Sequence, residues 1–82
     1  MSKYKFNNLN YLNLSLNNIT DRGIEYLCKF NLKKLTHLIL ESNNITNKGI
    51  TSLCKCNLDQ LTNLSLAFNK INKKGIKSYI EY

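Results

Sequence analysis

Shifted by 26 residues, the sequence falls on itself. Leu9, Leu35 and Leu61 align, then Leu12, Leu38 and Leu64, then Leu14, Leu40 and Leu66. The register continues without insertion or deletion through Asn17, Asn43 and Asn69 and through Ile19, Ile45 and Ile71. Gly23, Gly49 and Gly75 follow, each leading into an Ile. A fixed period of this length marks an array of like supersecondary units, none of which can bury its apolar face alone. The 82 residues, 43% of them apolar, suffice for one small core and not for two domains. A single domain over residues 1–82 is expected, with a partial repeat at 1–8 and repeats at 9–34, 35–60 and 61–82.

Within a unit the period changes from strand to helix. Leu12 and Leu14 alternate with Asn13 and Ser15, which predicts a strand with one buried face. Ile24, Leu27 and Cys28 stand at i, i+3 and i+4, the inward stripe of a short helix, and Ile50, Leu53 and Cys54 repeat it. Ile76, Tyr79 and Ile80 predict a third helix. Thr20, Thr46 and Asn72 precede these helices and are the expected N-caps. Asn31 and Asn57 follow the first two, where a residue tolerant of left-handed backbone is wanted. Stacking the units gives a parallel sheet with helices on its far side. The Asn column is expected to satisfy loop backbone by side-chain hydrogen bonds. A Gly early in a helix costs ~1 kcal/mol against Ala, so its repetition implies close packing or an unusual backbone angle.

Each unit reads L-x-x-L-x-L-x-x-N-x-I and resembles the leucine-rich repeat family over essentially the whole chain. The segment Ile19-Thr20-Asp21-Arg22-Gly23-Ile24-Glu25-Tyr26-Leu27-Cys28-Lys29 looks most like the ribonuclease-inhibitor-like class. That resemblance implies an α/β solenoid, a right-handed β/α superhelix with a short parallel sheet on the concave side and helices on the convex side. It also implies partner binding through the concave face and its rims. The cysteine-containing repeats of F-box proteins are nearer in length, but Asn17, Asn43 and Asn69 stand where those carry Cys.

Catalysis needs convergent titratable groups, which the sequence does not bring together. His37 is the single His and falls at an outward strand position. Cys28 and Cys54 fall on the inward helical stripe as small apolar residues, and Cys56 aligns with Phe30 in a loop. Cys54 and Cys56 are not spaced as a zinc pair, and the isolated glycines make no phosphate loop. A non-enzymatic chain without cofactor or metal is expected. No stretch approaches the ~20 apolar residues of a membrane helix, and the N-terminus lacks a signal peptide's apolar segment. With three Cys, an odd number, free thiols in the cytoplasm are expected.

Surface is what remains. The sheet face should present Tyr11, Asn13, Ser15, His37, Ile39, Glu41, Asn63, Ser65 and Ala67, flanked at the strand ends by Leu16, Ser42 and Phe68. Glu41 is the one definite charge among those nine, although 12 Lys and Arg against 5 Asp and Glu give the chain a net charge of +7. A neutral, hydrogen-bonding strip anchored by Tyr11, Ile39 and Phe68 suits a protein partner. The candidate contact residues are Tyr11, Asn13, His37, Ile39, Glu41, Asn63, Ser65 and Phe68. The net charge favours a partner with a neutral or acidic surface. The alternative is polyanion or nucleic-acid binding along the helix starts, where Arg22, Lys48, Lys73 and Lys74 gather. Self-association through the repeat ends is expected to grow as salt screens the charge.

Overall fold

The computed structural model describes residues 8–72. Three parallel strands, β1 (Tyr11–Asn13), β2 (His37–Ile39) and β3 (Asn63–Ser65), form one sheet in that order. Helix α1 (Asp21–Leu27) connects the first pair and α2 (Asn47–Lys55) the second. Pairing follows the 26-residue shift, with Leu12 opposite Leu38 and Leu38 opposite Leu64. The expected third helix, with Lys73, Lys74, Gly75, Ile76, Tyr79 and Ile80, lies outside the described residues.

The core is Ile24, Leu32, Leu35, Leu38, Leu40, Ile45, Ile50 and Leu53, enclosed between sheet and helices. Every one of them lies between residues 24 and 53. Leu12, Leu14, Leu64 and Leu66, from the same columns of the flanking units, are only half-buried. The difference follows from stacking: a leucine is sealed when another unit covers it on both sides.

The asparagine column does what its position requires, and in both directions. Asn43 Oδ1 accepts from the backbone N–H groups of Asn17 (3.0 Å) and Ile19 (2.9 Å) in the preceding unit. Its Nδ2 donates to the carbonyls of Leu14 and Leu40, each at 3.1 Å. Asn69 repeats the arrangement, accepting from Ile45 N–H at 3.0 Å and donating to Leu40 O at 2.8 Å. Asn43 is the buried polar side chain of the described residues, 6% exposed.

Three local expectations need correction. Asn31 and Asn57 do not take the left-handed backbone; Leu16, Asn18, Ser42 and Phe68 do. After α1 the chain turns instead through Asn31, whose Oδ1 accepts Lys33 N–H at 3.4 Å. Thr20 makes no side-chain cap, whereas Thr46 Oγ1 accepts Lys48 N–H at 3.2 Å. The Thr46 hydroxyl is oriented by Asp21 of the preceding unit, and Thr20 has no such carboxylate among the described residues. Finally, the cysteines are not all free. Cys28 and Cys56 form a disulfide (Cα–Cα 5.2 Å) that ties the end of α1 to the end of α2, leaving Cys54 as the free thiol. Joining residues 28 positions apart restricts the unfolded chain by ~3.5 kcal/mol in the entropic description. With two cysteines paired, the odd thiol count no longer points to a reducing compartment. Desolvation raises the pKa of the Cys54 thiol, favouring its protonated form.

Close packing explains the two described glycines, whose φ values are negative. A Cβ on Gly49 would stand 2.6 Å from both Ile45 Cγ2 and Asp21 Oδ1, and one on Gly23 would stand 2.8 Å from Ile19 Cγ2. Ile45 is fully buried and Asp21 is held by Thr46, so neither can give way, while Ile19 is only half-buried. Gly49→Ala is therefore expected to destabilise by ~1–3 kcal/mol through overpacking. In Gly23→Ala the helix propensity gained, ~1 kcal/mol, should offset most of the clash. Urea unfolding of the two variants checks this, and equal losses would contradict the packing difference.

Candidate interaction face

One side of the sheet is open. The pairing register sets Tyr11, His37 and Asn63 in one row across the units and Asn13, Ile39 and Ser65 in the next. Ser15, Glu41 and Ala67 follow just past the strands, where Leu16 N–H donates to Glu41 O (3.1 Å) and Ser42 N–H to Ala67 O (2.9 Å). The period thus brings the nine expected face positions together. Tyr11, Asn13, Asn63 and Ala67 are exposed and the other five are half-buried.

Much of this face is pre-ordered by its own hydrogen bonds. The Tyr11 and His37 rings stack at 5.4 Å between centroids and 26° between planes. Thr36 Oγ1 donates to Asn10 O (2.9 Å) and lies 2.9 Å from His37 Nδ1, which holds the ring in place. Asn13 Oδ1 accepts Ser15 N–H at 3.0 Å, and Thr62 Oγ1 donates to Asn63 Oδ1 at 2.8 Å. Ser65 Oγ donates to Glu41 Oε2, which links the second and third units across the face.

The rim beside this face is strained as well as apolar. Leu16, Ser42 and Phe68, at one repeat position, have φ of 61°, 56° and 59°. Leu16 is 80% exposed and Phe68 82%. A left-handed backbone costs a non-glycine residue about 1 kcal/mol, and so exposed a side chain recovers little of it by packing. The column immediately precedes each Asn, so its position was readable; the backbone angle was not, because glycine, its usual marker, is absent from it.

The basic edge is assembled differently from expectation. Arg22 and Lys48 are both exposed near the starts of α1 and α2, while Lys73 and Lys74 lie outside the described residues. The start of α2 is already occupied by an anion: Asp21 Oδ1 accepts Thr46 N–H at 2.8 Å and Oδ2 accepts from Thr46 Oγ1. The sequence reading missed this bond because Asp21 is matched by Asn47 and Lys73 in the later units. Among the described residues no three His, Cys, Asp or Glu side chains are grouped to hold a metal. No described helix is long and apolar enough to cross a membrane.

A three-stranded parallel sheet backed by helices, built at a constant 26-residue offset, is an α/β repeat fold. A family model described as Leucine Rich repeat matches residues 7–28, 31–54 and 61–78, and the chain belongs to the leucine-rich repeat family. No curated protein and no solved structure matches it. Repeats of this family typically serve as non-enzymatic protein-interaction modules.

Rim strain has a measurable consequence. Asn tolerates the left-handed backbone better than Leu or Phe. Leu16→Asn and Phe68→Asn are each expected to stabilise the fold by roughly 0.5–1 kcal/mol, raising Tm by a few degrees. Calorimetry checks this, and a loss of stability in both variants would show that these side chains pack after all.

Proposed function

We propose that the protein is a non-enzymatic interaction module, of the ribonuclease-inhibitor-like class, that binds another protein through its concave sheet face. One observation carries this reading: a basic chain keeps Lys and Arg off the nine face positions and spends left-handed strain to hold Leu16 and Phe68 exposed beside them. Exposed apolar anchors beside a polar strip are the composition of a protein interface, and a rigid ladder lowers the ordering cost of binding. Tyr11, Ile39 and Phe68 are the anchors, with Asn13, His37, Glu41, Asn63 and Ser65 as polar contacts. The surrounding positive field favours a partner whose wider surface is neutral or acidic. The polyanion reading along Arg22 and Lys48 has less support, since Asp21 fills the adjacent helix start.

The test is titration of a purified partner, recovered by affinity capture, against face variants. Tyr11→Ala, Ile39→Ala and Phe68→Ala should each weaken binding, at least one by ~2 kcal/mol, or roughly 30-fold. Arg22→Ala and Lys48→Ala should have little effect, and affinity should vary weakly with salt. Indifference to all three face substitutions, with affinity falling steeply as salt rises, would transfer the site to the basic edge.

A further inference from the structure

Glu41 sits on the face of the middle unit, next to Ser42 of the rim, and introduces a charge into an otherwise neutral strip. Its carboxylate is half-buried in the middle unit and is the single formal charge among the nine face residues. Ser65 Oγ engages Oε2 and fixes the group in place, while Oε1 takes no bond and no Lys or Arg pairs with it among the described residues. On either side stand the exposed side chains of Leu16 and Phe68, both held by left-handed backbone. Between them at the same repeat position stands Ser42, and the Glu41 carboxylate lies one residue before it on the face. Resting on the interaction reading above, we infer that this rim takes an extended partner segment in which one Arg or Lys pairs with Glu41 and apolar side chains on either side of it contact Leu16 and Phe68.

Distance and charge both fit that occupant. Leu16 and Phe68 are two strand spacings apart, ~10 Å, and an extended chain covers this in about three residues. A cation held between two apolar contacts reaches a half-buried carboxylate that Ser65 already orders, so the charge-assisted hydrogen bond costs little further ordering. An acidic residue at the same place would face Glu41 at close range. The rest of the segment is neutral or acidic, because the surface beyond the rim is positive. A chain of net charge +7 thereby selects a partner of opposite overall sign but with one cation at the centre of contact.

A display library of random 12-residue peptides, selected on the immobilised full chain, tests this. Enriched sequences should share one Arg or Lys with apolar residues within three positions on both sides. In fluorescence anisotropy with a selected peptide, Glu41→Gln should reduce affinity at least tenfold without lowering Tm. Replacing the peptide cation by Gln should cost about the same, and the two changes together should cost little more than either alone. Peptides that lack a cation, affinity unchanged by Glu41→Gln, or failure to enrich any sequence would each overturn the inference. Sensitivity to Ile39→Ala and Phe68→Ala without sensitivity to Glu41→Gln would leave the interaction face standing and remove only the cation. Insensitivity to all of them would remove the face as well.

Discussion

The amide of Asn43 holds one unit to the next. A leucine-rich unit of this size has a strand of three residues and a short helix, and neither is stable alone. After each strand the backbone must leave the sheet and turn toward the helix, which takes its N–H and C=O groups out of the sheet's hydrogen-bond ladder. Asn43 lies there almost fully buried, accepting from two N–H groups of the unit before it and donating to a carbonyl of each unit. Among neutral side chains, the amide is the one that offers two N–H donors together with an oxygen that can accept twice. With the turn satisfied, Leu38 and Leu40 can be sealed, and the sheet keeps a constant offset from strand to strand.

The 26-residue period made the architecture legible, because every register relation in the sheet is that same shift. What it could not show were the places where one unit departs from the others. Asp21 takes the N–H and hydroxyl of Thr46, and in the next unit Asn47 does the comparable work, accepting Asn72 N–H at 3.2 Å. An alignment of columns reads Asp, Asn and Lys as variation, whereas two of them are inter-unit hydrogen-bond acceptors. Cys56 aligns with Phe30 and so looked like a loop-packing residue, yet it closes a disulfide to Cys28. Cys54 shares Cys28's column and stays free, so the expectation of three free thiols holds for it alone. Pairing depends on where the end of α2 places its last residues, which the period does not specify.

The face was legible by alternation, and its nine positions came together in the rows the strands require. Its rim was only half legible. Leu16 and Phe68 were visible as apolar residues at strand ends, but not as residues held at positive φ. Stability alone would place Gly or Asn there. A small domain with few sealed leucines has little stability to give up, so left-handed backbone at all three equivalent positions, two of them carrying exposed apolar side chains, is more informative here than it would be in a large protein. Glu41 is the one formal charge on the face, and it also accepts Ser65 Oγ from the next unit.

The dependence on the asparagine column is most directly measured by comparing Asn43→Ala with Asn17→Ala in equilibrium urea unfolding. Asn17 occupies the same column but is exposed, and its described side-chain bond is to Ser15 O in its own unit. Removing the Asn43 amide leaves the Asn17 and Ile19 N–H groups and the Leu14 carbonyl without their partner, while Leu40 O keeps its bond from Asn69. At about 1–3 kcal/mol for each buried group left unpaired, and with water reaching some of them, a loss of ~3 kcal/mol or outright unfolding is predicted. Asn17→Ala should cost less than ~1 kcal/mol. Equal, small losses in the two variants would contradict the account, because the turn would then be satisfied without the amide that is taken to join the units.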